Sequence, residues 1–357
     1  MTPPNPLSAA PGLSRRHFLS YAAAAGSAAA LGGCGGSGDE PKASPGGSAS
    51  RTAGTEKIRL ALWSQPITEQ AHLFAAQDRG WFADEGLEVE LIGGAGGGDA
   101  IKNILAGNAD IAFANLEPMM FAMLQGAKLR GIYNVYPNNV FNVISPVGKQ
   151  ITEPKDLKGR KVGVYSQASG TRYNLLVMLR SAGLSERDVQ VIATGLPPNF
   201  GPLKAGQVDA QAATDTGLYA ARKAGIGEVN VIEAKEYLNS PSDALIVTQQ
   251  VFDEREETLR KFISVYRRAA QWMLDNPQKA AEVAVTRATD GKDAARNRDI
   301  IDLRNASTVD PGTDENGLGW FDTEVLADME QTFLDLKLIP KKVGFADAFT
   351  NELLPDA

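Results

Sequence analysis

Residues 166–171, Ser-Gln-Ala-Ser-Gly-Thr, lie between a short apolar segment, Val162-Gly163-Val164-Tyr165, and a largely apolar run at residues 175–179. That order reads strand, loop, helix, with Ser or Thr placed to cap the helix. Unpaired N–H groups and partial positive charge at a helix start beyond a strand's carboxyl end make a place to hold a ligand, and the same pattern equally describes an ordinary capped helix. A second loop, Gly93-Gly94-Ala95-Gly96-Gly97-Gly98-Asp99, would let backbone approach a ligand. It lacks the lysine of a phosphate-binding loop and dinucleotide spacing, so a nucleotide site is rejected. The chemistry available for bond breaking is thin. The sequence has two histidines, His17 and His72, and one cysteine, Cys34, so His/Cys metal sites are not expected and no cofactor is implied. A lone His72 near a helix start reads as structural.

The amino-terminal stretch has its own logic. Arg15-Arg16 with His17 and Phe18 precedes a weakly apolar, Ala-rich run ending at Leu31-Gly32-Gly33-Cys34. The arginine pair resembles a twin-arginine export address, and Leu31 and Gly33 before Cys34 resemble a lipoprotein cleavage site. Residues 1–33 are expected to be a signal peptide, with 34–55 a lipid-bearing cysteine and flexible tether rich in Gly, Ser, Ala and Pro. Function would then take place outside the cytoplasmic membrane, held to it by lipid. Residues 1–33 contain no acid, so their removal takes the formal charge from −7 to −9. An acidic body argues against nucleic acid as a partner.

The remaining chain alternates strand and helix. Strands are expected at 58–63, 87–92, 110–114, 129–135, 140–144, 162–165, 189–192, 208–214 and 244–248, with helices at 71–78, around 101–105, after Asn115, and near Leu203. A long helical zone follows at 254–287, then a helix at 323–336. Asn115 is placed to cap its helix, and Glu117 fits the first turn. Such density with short connections indicates mostly parallel sheets.

Four phrases then resemble a known family in order: Gln77-Asp78-Arg79-Gly80-Trp81-Phe82 with Glu85-Gly86-Leu87, Gly107-Asn108-Ala109-Asp110, Asp156-Leu157-Lys158-Gly159, and Gly206-Gln207-Val208-Asp209. The chain resembles type II periplasmic solute-binding proteins of ABC importers, in the subgroup serving nitrate, sulfonates, taurine and thiamine-pathway pyrimidines. Leu318-Gly319-Trp320-Phe321 and Ala348-Phe349 look more like the pyrimidine- and riboflavin-binding branch. The resemblance implies an α/β fold of two lobes, each a mostly parallel sheet flanked by helices, with a helical C-terminal tail. It implies lobe one at 56–143 and 246–357, lobe two at 144–245, and a ligand closed between them by hinge motion. Its contact positions map to Trp63, Gln65, Asn115, Tyr136, Ser166, Gln167, Ser169, Gly170, Thr171 and Asp215. Trp63 and Tyr136 could stack on a flat ring or pack the lobes; Asp215 could accept from a ligand N–H or cap its helix. Because the strand ends offer Asp99 and Asp215 but no clear cation, with Arg172 nearest, a ligand with N–H donors is favoured over an anion. Helix starts alone can nevertheless hold a sulfonate or nitrate, so that alternative stands. The expected partners are a small molecule, a membrane permease and its ATPase, with the chain itself a monomer. The yeast-type pyrimidine synthase shares the resemblance, but the histidine and cysteine-rich motif that it relies on is not found here.

Overall fold

Ten strands among the described residues form two five-stranded sheets. They are β1 (Glu56–Leu62), β2 (Leu87–Ile92), β3 (Ile111–Asn115), β4 (Leu129–Tyr136), β5 (Phe141–Pro146), β6 (Lys161–Val164), β7 (Gln190–Ala193), β8 (Ala210–Thr214), β9 (Val229–Glu233) and β10 (Asp243–Thr248). The first sheet runs β2-β1-β3-β10-β4 and the second β7-β6-β8-β5-β9. In each, one strand runs against its neighbours: β10 is antiparallel to β3 and β4, and β5 to β8 and β9. The computed structural model describes residues 54–195 and 200–355; Arg15, Arg16, Cys34 and all but the end of the expected tether lie outside them.

Both faces of the first sheet are covered, which is why its inner strands β3 and β10 lack alternation. Leu60, Phe113 and Leu245 pack against Phe262, Ile263 and Tyr266 of helix Glu256–Asp275. On the other face Ala112 and Ile246 meet Met119, Phe333 and Phe349. His72 belongs to this packing: it is buried, edge-on to the Tyr266 ring at 4.9 Å, and burial lowers its pKa to about 3.

The sequence placed the lobe boundaries inside two strands, at 143/144 and 245/246. The strands are not shared in that way. β5 lies wholly in the second sheet and β10 wholly in the first, so the chain changes lobe at 137–140 and 234–242. The two crossing segments bond to each other instead: Ser242 Oγ donates to Asn138 O at 2.7 Å and accepts from Val140 N at 2.9 Å, while Asn139 Nδ2 donates to Leu238 O at 2.9 Å.

Two helical features differ from expectation. The zone 254–287 breaks at Asn276, because Pro277 has no N–H to continue the ladder and starts helix Pro277–Arg287. Helix Ala294–Thr308 was not expected at all. Its buried face mixes Asn297, Arg304 and Thr308 with Ile300 and Ile301, so no apolar stripe marks it.

Candidate ligand-binding site

Between the lobes lies a small cavity of about 20 Å³. The first lobe contributes Trp63, Gly96, Asn115, Tyr136, Asp243 and Arg304; the second contributes Phe141, Tyr165, Ser169, Gly170, Thr171 and Thr214, with Val140 from the crossing. Trp63, Asn115, Tyr136 and Thr214 sit at or just beyond the carboxyl ends of β1, β3, β4 and β8. Asp243 begins β10, which runs the other way, and therefore reaches the same edge.

Of the ten residues expected to touch ligand, Trp63, Asn115, Tyr136, Ser169, Gly170 and Thr171 line the cavity, and Gln65, Ser166, Gln167 and Asp215 do not. Gln65 faces an outer groove with Gly93, Gly94 and Lys102. Ser166 turns into its own loop, accepting from Ala168 N at 3.3 Å. Gln167 carries only a 3.5 Å carbonyl contact from Arg172. Asp215 is spent on protein: Oδ1 lies 2.9 Å from Arg304 Nη1 and accepts from Thr216 N at 2.6 Å, while Ser307 Oγ donates to Oδ2 at 2.7 Å.

The cation is Arg304, not Arg172. Arg172 pairs with Glu186 at 2.7 Å away from the cavity. Arg304 is buried between one carboxylate from each lobe, its Nε donating to Glu69 Oε2 at 2.8 Å and its Nη1 facing Asp215. Its guanidinium stacks 4.9 Å from the Tyr136 ring centre, and Nη2 donates to Thr216 Oγ1, which in turn donates to Glu69 Oε1 at 2.6 Å. Two carboxylates against one guanidinium leave a local excess of negative charge. The sequence concealed this because Arg304 sits in the helix without an apolar stripe.

Asp243 was also not anticipated. It is fully buried, and burial raises its pKa to about 7, with the field of Arg304 opposing and that of Glu69 assisting. Near neutral pH its carboxyl can either accept or donate a hydrogen bond toward the cavity. Two further buried polar atoms of lining residues, Trp63 Nε1 and the Tyr165 hydroxyl, have no hydrogen-bond partner, while Arg304 Nη1 is held by its ion pair with Asp215. A buried donor without an acceptor costs about 1–3 kcal/mol, which a ligand carbonyl would relieve.

Helix starts around the cavity are already filled. Gly170 N donates to Asn115 Oδ1 at 3.0 Å. At helix Asp215–Lys223 the first N–H groups go to Val140 O, Asp215 Oδ1 and Thr214 Oγ1. The glycine loop closes on the other lobe: Gly98 N donates to Ala168 O at 3.0 Å, and a Cβ at Gly98 would lie 2.8 Å from the Ala168 methyl. Ser169 and Thr171 hydroxyls bond each other at 2.7 Å, and neither caps the helix through its side chain. Asn115 makes no capping bond either, forgoing about 1 kcal/mol at that helix start.

A second buried cluster lies toward the hinge. Glu117 Oε1 accepts from Asn174 Nδ2 of the other lobe at 2.6 Å, and Asn174 Oδ1 accepts from Asn139 Nδ2 at 2.8 Å. Glu117 Oε2 has no partner, and burial pushes the carboxyl up to about 8. The sequence placed it in the first turn of its helix; tertiary contact with Asn174 removes it from water.

The family model described as NMT1/THI5 like matches residues 67–280. The chain belongs to the NMT1/THI5-like family. A riboflavin-binding protein, RibY, of Chloroflexus aurantiacus is 23% identical over 319 residues, 88% of this chain and 90% of that one. A formylaminopyrimidine-binding protein of Halalkalibacterium halodurans is 22% identical over 65% of this chain and 70% of its own. A 4-amino-5-hydroxymethyl-2-methylpyrimidine phosphate synthase of Saccharomyces cerevisiae is 22% identical over 63% of this chain and 69% of its own, so the NMT1/THI5-like family holds an enzyme beside binding proteins. Among solved structures, the alkanesulfonate-binding protein SsuA of Xanthomonas axonopodis pv. citri, bound to MOPS, superposes with TM-score 0.65 at 17% identity, covering 84% of this chain and all of that one. The fold is therefore that of periplasmic solute-binding proteins, as the sequence resemblance implied.

Proposed function

We propose that this chain is the exported, lipid-anchored binding component of an ABC importer, capturing a neutral nitrogen heterocycle such as a thiamine-pathway pyrimidine or a flavin ring. The observation that carries the ligand class is the charge balance of the cavity. Its one lining cation, Arg304, is matched by Glu69 and Asp215, a third carboxyl, Asp243, faces the space, and the Gly170 N–H is taken by Asn115. An anion would meet net negative charge. A flat ring would instead lie among Trp63, Tyr136, Phe141 and Tyr165, offering a carbonyl oxygen to Trp63 Nε1 or the Tyr165 hydroxyl and an N–H to Asp243. The riboflavin- and pyrimidine-binding relatives agree with that chemistry. Among the described residues no histidine, cysteine or lysine lines the cavity, which favours holding over turnover.

The sulfonate reading keeps one specific support, the buried guanidinium itself. Isothermal titration against riboflavin, 4-amino-5-hydroxymethyl-2-methylpyrimidine, taurine, MOPS and nitrate separates the two. Heterocycle binding with no response to the anions is expected; binding of an anion alone overturns the ligand class. Export and anchoring rest on Arg15, Arg16 and Cys34. With Cys34→Ala the protein should leave the membrane fraction, and retention there would remove the anchor from the proposal.

A further inference from the structure

Asn115 stands where a helix cap is expected but directs its amide elsewhere. Its Nδ2 donates to Asp243 Oδ1 at 2.6 Å, within the first lobe, and its Oδ1 accepts from Gly170 N at 3.0 Å, across to the second. Only one orientation of the amide serves both partners, because a backbone N–H needs the oxygen and a carboxylate needs the NH₂. The fit is close on both sides. A Cβ at Gly97 would lie 2.7 Å from Asn115 Oδ1, and a Cβ at Gly170 would lie 2.7 Å from Asn115 Cγ. Asp243 and Asn115 also face each other as register partners on β10 and β3. Both line the cavity, yet the Asn115 hydrogen-bonding groups named here are already engaged, whereas the Asp243 carboxyl is oriented by one of them.

Resting on the proposed heterocycle reading, we infer that Asn115 is a positioning residue that couples ligand contact at Asp243 to closure of the second lobe. A ligand N–H on Asp243 fixes the carboxyl, the carboxyl fixes the amide, and the amide presents its oxygen to Gly170. Closing on the wrong guest, one that cannot engage Asp243, leaves that amide free to rotate and the Gly170 N–H without its acceptor. Loss of a buried acceptor is expensive, so closure itself becomes selective. The coupling is short because each member touches the next, and the two-state element that it biases is the lobe pair.

The test uses the full chain with spin labels at one exposed position in each lobe, Leu105 and Val147. Asn115→Ala removes both bonds. Asn115→Asp keeps size and the acceptor for Gly170 but puts two carboxyls in contact, which must share a proton. The groups acting on that pair are Arg304, Glu69 and Asp215 around the cavity and Glu117 on the adjoining helix. In Asn115→Asp the interlobe distance should lengthen as pH rises from about 5 to 9 while the native chain changes less; this profile is not what a purely structural loss would produce. A distance in Asn115→Asp that stays native at every pH overturns the inference. The second arm adds riboflavin or 4-amino-5-hydroxymethyl-2-methylpyrimidine. Whichever binds should close the native chain and fail to close Asn115→Ala, with affinity lower by about tenfold or more. Full closure of Asn115→Ala overturns the inference. If neither compound binds, the heterocycle reading fails while the pH-dependent distances still decide the role of Asn115.

Discussion

The two lobes share one strand order, with the strand that follows each crossing inserted antiparallel at the same place, β10 in one sheet and β5 in the other. What they bring to the cavity differs. The first lobe supplies the buried charges, Glu69, Asp243 and Arg304, whereas the second supplies Ser169, Thr171 and Thr214 hydroxyls and backbone, and its one carboxylate nearby, Asp215, is used to complete the Arg304 cluster. One scaffold thus serves two tasks. The buried charges sit on one side, and the other side is neutral apart from Asp215, with the Tyr165 hydroxyl as its unpaired donor. On the proposed hinge closure, a lobe without free charges would lose less solvation each time it shut.

That contrast is most severely tested at Arg304. Arg304→Met should destabilise the protein by about 3–5 kcal/mol in denaturant unfolding, because buried Glu69 would lose its guanidinium and half-buried Asp215 would keep only Thr216 N and Ser307 Oγ. A loss below about 1 kcal/mol would mean that the carboxylates reach water and that the first lobe holds no real charge centre.

Glu117 gives the next effect. Its carboxyl titrates near 8 in the native state and at its ordinary value, 4.5, when unfolded. The native state therefore binds the proton more tightly, and its contribution to stability falls as pH rises from 4.5 through 8. Asp243, raised to about 7, acts in the same direction. Glu117→Gln should flatten this slope and gain about 2 kcal/mol over the native chain at pH 9, after the cost of an unpartnered buried amide. An unchanged pH slope would place the carboxyl in water.

Smaller effects sharpen the second lobe's side of the comparison. Thr214→Val removes the cap on Gly217 N and should cost about 1 kcal/mol, read as a lower unfolding midpoint, without altering the charge of the cavity. Arg172→Ala, breaking a partly exposed pair with Glu186, should cost less than about 1 kcal/mol and leave ligand affinity unaltered. A large affinity change there would restore the cation role that its position in the sequence implied.

Much of this fold is legible in the chain. The helix Ala71–Asp78 and the strand Leu87–Ile92 match their expected limits, because apolar patterning and the glycines that end neighbouring elements are local signals. The strand Val229–Glu233 and the helix Ala294–Thr308 lacked such signals, being half-buried and mixed in polarity respectively. Six expected cavity residues line the cavity since a strand's end and the next helix start are adjacent in sequence and must share one edge of the sheet. Asp215 lies at an equivalent position and is diverted by Arg304 and Ser307 from a distant segment, and Gln65 faces the outer groove.

By itself, then, the sequence determined most of the alternation of strand and helix through short-range patterning, and its resemblance to a known family implied the two lobes and the edge at which a ligand would be held. Only the tertiary structure decided the charge state of that edge. Arg304 is 235 residues from Glu69, and Asp243 is 128 from Asn115. Burial and pairing over such separations arise when the sheets pack and the lobes meet, and no local pattern carries them.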